Sequence, residues 1–95
     1  MAAYIIMDIV VHDAEIYERY KAIGPPSVTT YGGRYIARGG KTETLEGDWS
    51  PTRLVILEFP DADSARAWQA SPEYAPAKAI RESCATTQMI VVEGL

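Results

Sequence analysis

The sequence predicts an α+β fold whose strands and helices follow one another in the order βαββαβ. Three observations carry this prediction. Segments rich in Ile and Val alternate with segments whose apolar residues recur at helical spacing. Glycine and proline pairs punctuate the chain between these segments. The length of 95 residues suits one domain over residues 1–95 with a single sheet.

The first quarter of the chain predicts a strand followed by a helix. Residues 4–11 are nearly continuous in apolar side chains, which indicates a buried strand. Asp13 is a suitable N-cap for the helix. The helix has apolar residues at helical spacing, namely Ile16, Tyr20 and Ile23. We expect residues 24–26, Gly-Pro-Pro, to end this helix, with residues 27–31 as a further turn or a loop.

The middle of the chain predicts two strands joined by a long loop. Glycine pairs at residues 32–33 and 39–40 flank a short strand over residues 34–38. Residues 41–52 form a polar loop, and residues 53–59 form the third strand.

The last third of the chain predicts helical segments and a final strand. Asp61 caps a helix that carries Ala65, Ala67 and Trp68. Ser71-Pro72 offers a second helix start, and Pro76 predicts a break that leaves residues 72–75 as a separate turn. The last strand covers residues 87–93. Right-handed crossovers then place strands one and three in the centre of a four-stranded antiparallel sheet with helices on one face, the ferredoxin-like arrangement.

Side chains alternate between the two faces of a strand, so the parity of the residue number sorts them. The odd positions are almost wholly apolar and are predicted to lie under the helices: Ile5, Met7, Ile9, Val11, Tyr35, Ala37, Val55, Leu57, Phe59, Met89 and Val91. The even positions are also largely apolar, and they include Ile6, Ile36, Leu54, Ile56, Ile90 and Val92. The helices cannot cover both faces, and a large apolar patch in water is unfavourable. We therefore expect a homodimer in which the even faces of two sheets pack together.

The few polar residues of the even face predict a cluster. We take strands one and three as parallel, which places Asp8 and Glu58 near the same end of the sheet. A hairpin register with Arg34 opposite Glu58, and with Gln88 beside Asp8, completes the cluster. A register slip of two residues would instead bring Arg38 toward Glu58.

Two interpretations of this cluster stay open at this point. One is a charge network that orders the dimer seam. The other is a pocket that holds a small aromatic or carboxylate metabolite, with proton transfer by Asp8 or Glu58 as its chemistry. Aromatic side chains in the loops would serve as its walls or lid. The candidate ligand-binding residues are Arg34, Arg38, Asp8, Glu58, Tyr31 and Trp49.

The charge and composition of the chain exclude several classes of function. The net charge is −4, and the basic residues form no run, so we expect neither nucleic-acid nor membrane-surface binding. No apolar stretch approaches the roughly 20 residues of a membrane span. The single histidine, His12, is predicted to lie in a solvated turn, and the single cysteine, Cys84, on a buried helix face. These residues predict no metal site and no cofactor, and the lone cysteine suits a reducing cytoplasm.

Several short motifs resemble the signature of a bacterial family of unknown function, number 1330 among such domains. They follow one another along nearly the whole chain: residues 31–35 (YGGRY), 37–40 (ARGG), 45–49 (LEGDW), 58–60 (EFP), 67–68 (AW), 71–74 (SPEY) and 92–94 (VEG). The resemblance implies a ferredoxin-like protomer and a dimer of the α+β barrel superfamily, but no established activity. The wider superfamily includes cofactor-free monooxygenases, haem-degrading enzymes, dismutase-like enzymes and muconolactone isomerases. Their ligands often bind between the sheet and the helices, so the pocket lies either there or in the dimer seam.

Overall fold

A computed structural model describes all 95 residues, which form one sheet and three helices. The elements are β1 (Ala3–Val11), α1 (Ala14–Thr30), β2 (Arg34–Arg38), β3 (Leu54–Phe59), α2 (Ala62–Gln69), α3 (Ala75–Cys84) and β4 (Ala85–Glu93). The sheet order is β2-β3-β1-β4, and every neighbouring pair is antiparallel. The predicted ferredoxin-like fold is confirmed. None of the helices has the length and apolar character needed to cross a membrane.

Both predicted N-caps are present. The carboxylate of Asp13 accepts a hydrogen bond from the backbone N–H of Ile16 at 3.1 Å. The carboxylate of Asp61 does the same for Ser64 at 2.7 Å, and this bond holds the pKa of Asp61 below its ordinary value. Each cap satisfies an N–H group that has no partner within its own helix.

The break between α2 and α3 lies where the prolines predict it. The hydroxyl of Ser71 accepts a hydrogen bond from the backbone N–H of Tyr74 at 3.0 Å, which closes a turn between the two helices. Pro76 falls in the first turn of α3, where its missing N–H group removes no hydrogen bond.

Helix α1 does not end at residues 24–26 as predicted, but continues to Thr30. A proline inside a helix leaves the carbonyl four residues earlier without its donor. For Pro25 that carbonyl belongs to Lys21, and Nη2 of Arg38 donates to it at 3.0 Å. A side chain from the sheet therefore replaces the bond that the proline removes. In addition, three hydroxyls of the last turns, from Ser27, Thr29 and Thr30, donate to helix carbonyls.

The core lies between the helices and one face of the sheet, which we call the inner face. The six central odd positions of β1 and β3 are all buried: Ile5, Met7, Ile9, Val55, Leu57 and Phe59. Trp68 and Tyr74 pack against them, with their ring centroids 4.1 Å apart. The opposite, outer face has no helix over it, and Ile36, Ile90 and Val92 are each more than 40% exposed there. The predicted division of the sheet faces is confirmed for β1 and β3, whereas Val91 of β4, which was predicted to lie under the helices, is 38% exposed.

Strands β1 and β3 run antiparallel, so the prediction that they are parallel is wrong. Tyr4 lies opposite Glu58, and Asp8 lies opposite Leu54. Because α1 carries the chain back along the sheet, β2 runs in the direction of β1. The β2–β3 connection then reverses the chain again. Asp8 and Glu58 consequently lie at opposite ends of the outer face.

A β-bulge in β2 moves Arg38 to the inner face. The register pairs Arg34 with Glu58 but Arg38 with Val55, so four steps along β2 match three steps along β3. The extra residue lies at Ile36, between the paired positions. A one-residue insertion exchanges the two faces for everything beyond it. The prediction that Arg38 shares the outer face with Arg34 is therefore wrong.

Candidate functional site

The predicted cluster of polar residues separates into four places. Arg34 and Glu58 form an ion pair at one end of the outer face, with Nε and Oε1 2.7 Å apart. This bond, and after it the nearby hydroxyl of Tyr4, hold the pKa of Glu58 below its ordinary value of 4.5. The nearby carboxylate of Glu58 in turn raises the pKa of Tyr4. The two charges of this pair satisfy each other, so it offers no free charge to a ligand.

Asp8 and Trp49 meet at the other end of the outer face. The indole Nε1 of Trp49 donates a hydrogen bond to Oδ2 of Asp8 at 3.0 Å. Gln88 lies opposite Asp8 on β4, as predicted. The other carboxylate oxygen, Oδ1, is buried and has no hydrogen-bond partner. With Ile6 and Ile90 these residues line a hollow of about 140 Å³ on the face predicted to meet a second copy.

Tyr31 lies apart from both groups. It follows the last residue of α1, and its hydroxyl donates a hydrogen bond to Oε1 of Glu73 at 2.7 Å. The bond raises the pKa of Tyr31 and lowers the pKa of Glu73. This contact ties the end of α1 to the turn before α3, and Tyr31 lines neither the outer-face hollow nor the cleft described next.

Arg38 lines a cleft between α1 and the inner face of the sheet, which we call the α1–sheet cleft. The other side chains that form it include Met7, Tyr17, Tyr20, Tyr35 and Arg53. The bulge in β2 brings Arg38 to this cleft, and Arg53 reaches it from the residue before β3. The free space between these side chains is about that of one water molecule.

The two arginines of the cleft are held by aromatic rings. The guanidinium carbon of Arg38 lies 4.8 Å from the ring centroid of Tyr35. That of Arg53 lies 5.4 Å from the ring of Tyr17, and its Nε donates to the Tyr17 hydroxyl at 3.1 Å. No carboxylate oxygen lies within 4.0 Å of either guanidinium. The cleft therefore contains two cations without a counter-ion.

The tyrosine hydroxyls of the cleft add hydrogen-bond donors. The oxygen of Tyr17 already accepts from Arg53, and its own proton has no acceptor in the protein. The hydroxyl of Tyr35 makes no hydrogen bond within the protein, and burial raises its pKa. Burial also raises the pKa of Tyr20, so both phenols stay protonated at neutral pH. The polar groups of the cleft that lack a partner within the protein are thus hydrogen-bond donors.

The sequence reasoning missed five polar or aromatic residues of this cleft: Tyr17, Tyr20, Lys21, Tyr35 and Arg53. The parity pattern held a signal for one of them. Arg53 has the same parity as Val55, Leu57 and Phe59, and it is the charged exception to an apolar set. A cation at an inner-face position needs a partner there, which points to the cleft.

His12 and Cys84 lie outside the cleft. Nε2 of His12 is 2.7 Å from the hydroxyl oxygen of Thr86 at the exposed start of β4. Cys84 is buried, and burial raises the pKa of its thiol, which disfavours a reactive thiolate. No three His, Cys, Asp or Glu side chains group together in a way that could hold a metal ion.

Sequence comparison identifies the family. The family described as "Domain of unknown function (DUF1330)" matches residues 2–95. The chain belongs to the DUF1330 family. The resemblance carried by the sequence motifs is thereby confirmed. A search of curated protein sequences found no match to this DUF1330 chain.

Solved structures similar to this DUF1330 chain share its fold. A protein of unknown function from Rhodopseudomonas palustris superposes with a TM-score of 0.79 at 19% identity, over 99% of this chain and 82% of that one. A dimeric ferredoxin-like protein of unknown function from Jannaschia sp. CCS1 gives 0.72 at 13%, over 99% and 100%. SnoaB, a cofactor-independent oxygenase from Streptomyces nogalater, gives 0.67 at 14%, over 99% and 93%. At these identities the likeness establishes the fold alone.

Proposed function

We propose that this protein binds a small anionic ligand with a planar aromatic body in the α1–sheet cleft. One observation carries the proposal: Arg38 and Arg53 line the same cleft with no carboxylate near either of them. A guanidinium binds a carboxylate through two parallel N–H donors, and it donates charge-assisted hydrogen bonds to a phenolate oxygen. The rings of Tyr17 and Tyr35 beside the guanidiniums suit a flat ligand body.

The proposal is binding and not a reaction, because the cleft lacks a base. Neither Asp8 nor Glu58 lines it, so the expected proton transfer by these carboxylates has no support in its geometry. The phenols of Tyr20 and Tyr35 have raised pKa values and do not act as bases near neutral pH. The oxygenase activity of SnoaB belongs to SnoaB, and at 14% identity it is compatible with this proposal without supporting a shared reaction.

Ligand entry requires movement of the two arginines. The free space of the cleft is about one water molecule, so a benzoate-sized ligand has to displace side chains. Arg38 is held by one hydrogen bond to the Lys21 carbonyl and by its contact with Tyr35. Arg53 is held by one bond to Tyr17 and by the ring beneath it. Side-chain rotation on this scale is common when ligands bind.

A homodimer is the second part of the proposal. The outer face carries exposed apolar side chains, and Ile90 at 59% and Val92 at 43% lie on the same strand. No helix of the chain covers this face. The structurally similar Jannaschia protein is dimeric, which supports the same assembly here. Outer-face packing would also enclose the hollow beside Asp8.

A thermal-shift and calorimetry experiment tests the ligand. Benzoate, salicylate and 4-hydroxybenzoate are compared with the uncharged benzyl alcohol. We expect the anions to raise the melting temperature and benzyl alcohol not to do so. Arg38→Met and Arg53→Met should each weaken benzoate binding by about tenfold or more, since one charge-assisted bond contributes roughly 1.5–3 kcal/mol.

Arg66→Met is the matched control for these variants. Arg66 is an exposed arginine on α2 that is paired with Asp63, and it lies outside the cleft. Its loss should leave benzoate affinity unchanged. The proposal is wrong if none of the three anions stabilises the protein, or if Arg66→Met weakens binding as much as Arg53→Met.

A non-catalytic accessory dimer is the second candidate function. The observation that favours it is that Arg38 already has a structural partner in the Lys21 carbonyl, while Arg34 is paired with Glu58. Under this reading the arginines stabilise the fold and no ligand enters. Loss of stability in Arg53→Met, with no anion effect in either protein, would support this reading.

A further inference from the structure

A further arginine, which the binding proposed above does not use, lies behind the cleft. Arg81 on α3 is only 5% exposed, and no carboxylate oxygen lies within 4.0 Å of it. Its Nε donates to the hydroxyl oxygen of Tyr74 at 3.2 Å. The Tyr74 hydroxyl oxygen lies 2.9 Å from that of Tyr20, which lines the α1–sheet cleft. A buried cation is thus connected to the cleft through two phenols.

The direction of these hydrogen bonds follows from what each group can donate. A guanidinium has no acceptor, so Tyr74 accepts from Arg81. Tyr74 is fully buried, and its only other hydroxyl contact is Tyr20. If Tyr20 donated to Tyr74, the proton of the fully buried Tyr74 would have no acceptor, which is unfavourable. Tyr20 instead lines the cleft, whose free space admits about one water molecule that can accept its proton. Arg81 therefore donates to Tyr74, and Tyr74 donates to Tyr20.

This direction leaves the proton of Tyr20 without a partner in the protein. The hydroxyl of Tyr20 makes no hydrogen bond other than the one to Tyr74. Its oxygen accepts there, so its own O–H remains to be donated. The charge of Arg81 polarises the two hydroxyls and makes those of Tyr74 and Tyr20 stronger hydrogen-bond donors. The hydroxyl of Tyr20 is then one more donor for a ligand that binds between α1 and the sheet.

We propose that Tyr20 determines ligand specificity in this cleft by donating its hydroxyl proton to an acceptor oxygen of the ligand. Arg81 and Tyr74 are positioning residues, since they act only by fixing which way Tyr20 donates. The inference rests on the proposed ligand binding and narrows its substrate class. The ligand carries an oxygen acceptor for Tyr20 in addition to the negative charge held by Arg38 and Arg53. Carboxylates and phenolates with a second oxygen fit this description, while a ligand of hydrogen-bond donors does not.

Neutron diffraction from deuterium-exchanged crystals of the unliganded protein tests the direction without a ligand. We expect the deuteron of Tyr74 on the line toward the Tyr20 oxygen, and the deuteron of Tyr20 directed away from Tyr74. A deuteron on Tyr20 that lies between the two oxygens would overturn the inference.

A pair of variants tests the consequence for binding, with benzoate and salicylate as the probes in calorimetry. Tyr20→Phe and Tyr74→Phe both remove the bond between the two hydroxyls, and Tyr74→Phe also removes the bond from Arg81. The structural loss is therefore at least as large in Tyr74→Phe. Only Tyr20→Phe also removes the donor at the cleft. We expect Tyr20→Phe to weaken salicylate binding by about tenfold, and Tyr74→Phe by no more than about threefold.

The outcomes separate this inference from the function on which it rests. Equal losses in the two variants, with binding that still depends on Arg53, would overturn the role of Tyr20 and leave the cleft proposal intact. If the wild-type protein binds neither of these probes nor 4-hydroxybenzoate, the proposed function fails and the specificity role fails with it. The neutron map then still decides the bond direction, and it needs no variant to fold.

Discussion

Arg53 and Arg38 reach the same cleft for different reasons, and only one of them was predictable from the residue pattern. Arg53 has inner-face parity along β3, so its position follows from alternation alone. Arg38 has outer-face parity by its number but lies opposite Val55. Glu58 and Arg34 are the residues that the predicted register did place correctly. Single-residue alternation is reliable until a residue is inserted.

The Arg34–Glu58 pair predicts a specific dependence of stability on pH. The pKa of Glu58 is lowered in the folded protein, so the fold favours its ionised form. The stabilisation is present above the ordinary pKa of 4.5 and is lost as the pH falls through the lowered value. At pH 7 the free energy of unfolding should be larger for wild type than for Glu58→Gln. This difference should shrink on acidification below about pH 5.

Urea unfolding across this pH range makes the measurement, with Arg34→Met as the companion variant. Arg34→Met removes the other member of the pair, so its difference from wild type should shrink over the same range. A difference that grows as the pH falls would show that the pKa of Glu58 is not lowered in the folded protein.

At the scale of elements, α1 was predicted in part and its second half was not. Residues 14–23 carry a helical pattern that follows the cap Asp13, whereas residues 24–26 are Gly-Pro-Pro. Local rules end the helix at that point. The helix continues because Arg38, distant in sequence, donates to the Lys21 carbonyl that Pro25 leaves free. This hydrogen bond depends on the bulge in β2. Local sequence predicts neither the bulge nor, therefore, the end of the helix.

A double-mutant cycle tests the link between Pro25 and Arg38. Pro25→Ala restores a backbone N–H that can bond to Lys21, so the guanidinium of Arg38 loses its role there. We expect Arg38→Met to destabilise the wild-type protein by about 1 kcal/mol, and the Pro25→Ala protein by clearly less. Chemical unfolding measures the effect. Equal losses of unfolding free energy in the two backgrounds would contradict the claim that Arg38 replaces the hydrogen bond removed by Pro25.

At the scale of the whole molecule, the antiparallel β1–β3 pair decides where the polar groups go. The βαββαβ order was predicted, but the direction of β3 was not, and this error merged two separate ends of the sheet into one cluster. The outer face itself follows from alternation, because its exposed apolar side chains lie at even positions such as Ile90 and Val92. The face was therefore predictable, and the arrangement of charges on it was not.

The homodimer proposal predicts an effect that is confined to one face. Ile90→Glu places a charge on the outer face and should convert the dimer to a monomer in sedimentation equilibrium, because burying an unpaired charge is strongly unfavourable. Ile23→Glu is the matched control, since Ile23 is 42% exposed on α1, on the other side of the sheet. A monomeric wild-type protein, or dissociation in both variants, would contradict packing through the outer face.

Titration of the protein with benzoate, followed by the NMR signals of the arginine Nε–H groups, tests the central claim most directly. Each arginine reports its own location: Arg38 and Arg53 in the cleft, Arg34 on the outer face and Arg66 on α2. We predict that the Arg38 and Arg53 signals shift together and saturate with one binding constant, while those of Arg34 and Arg66 stay in place. Saturable shifts at Arg34 alone, or no saturable shift at any arginine, would contradict an anion-binding cleft between α1 and the sheet.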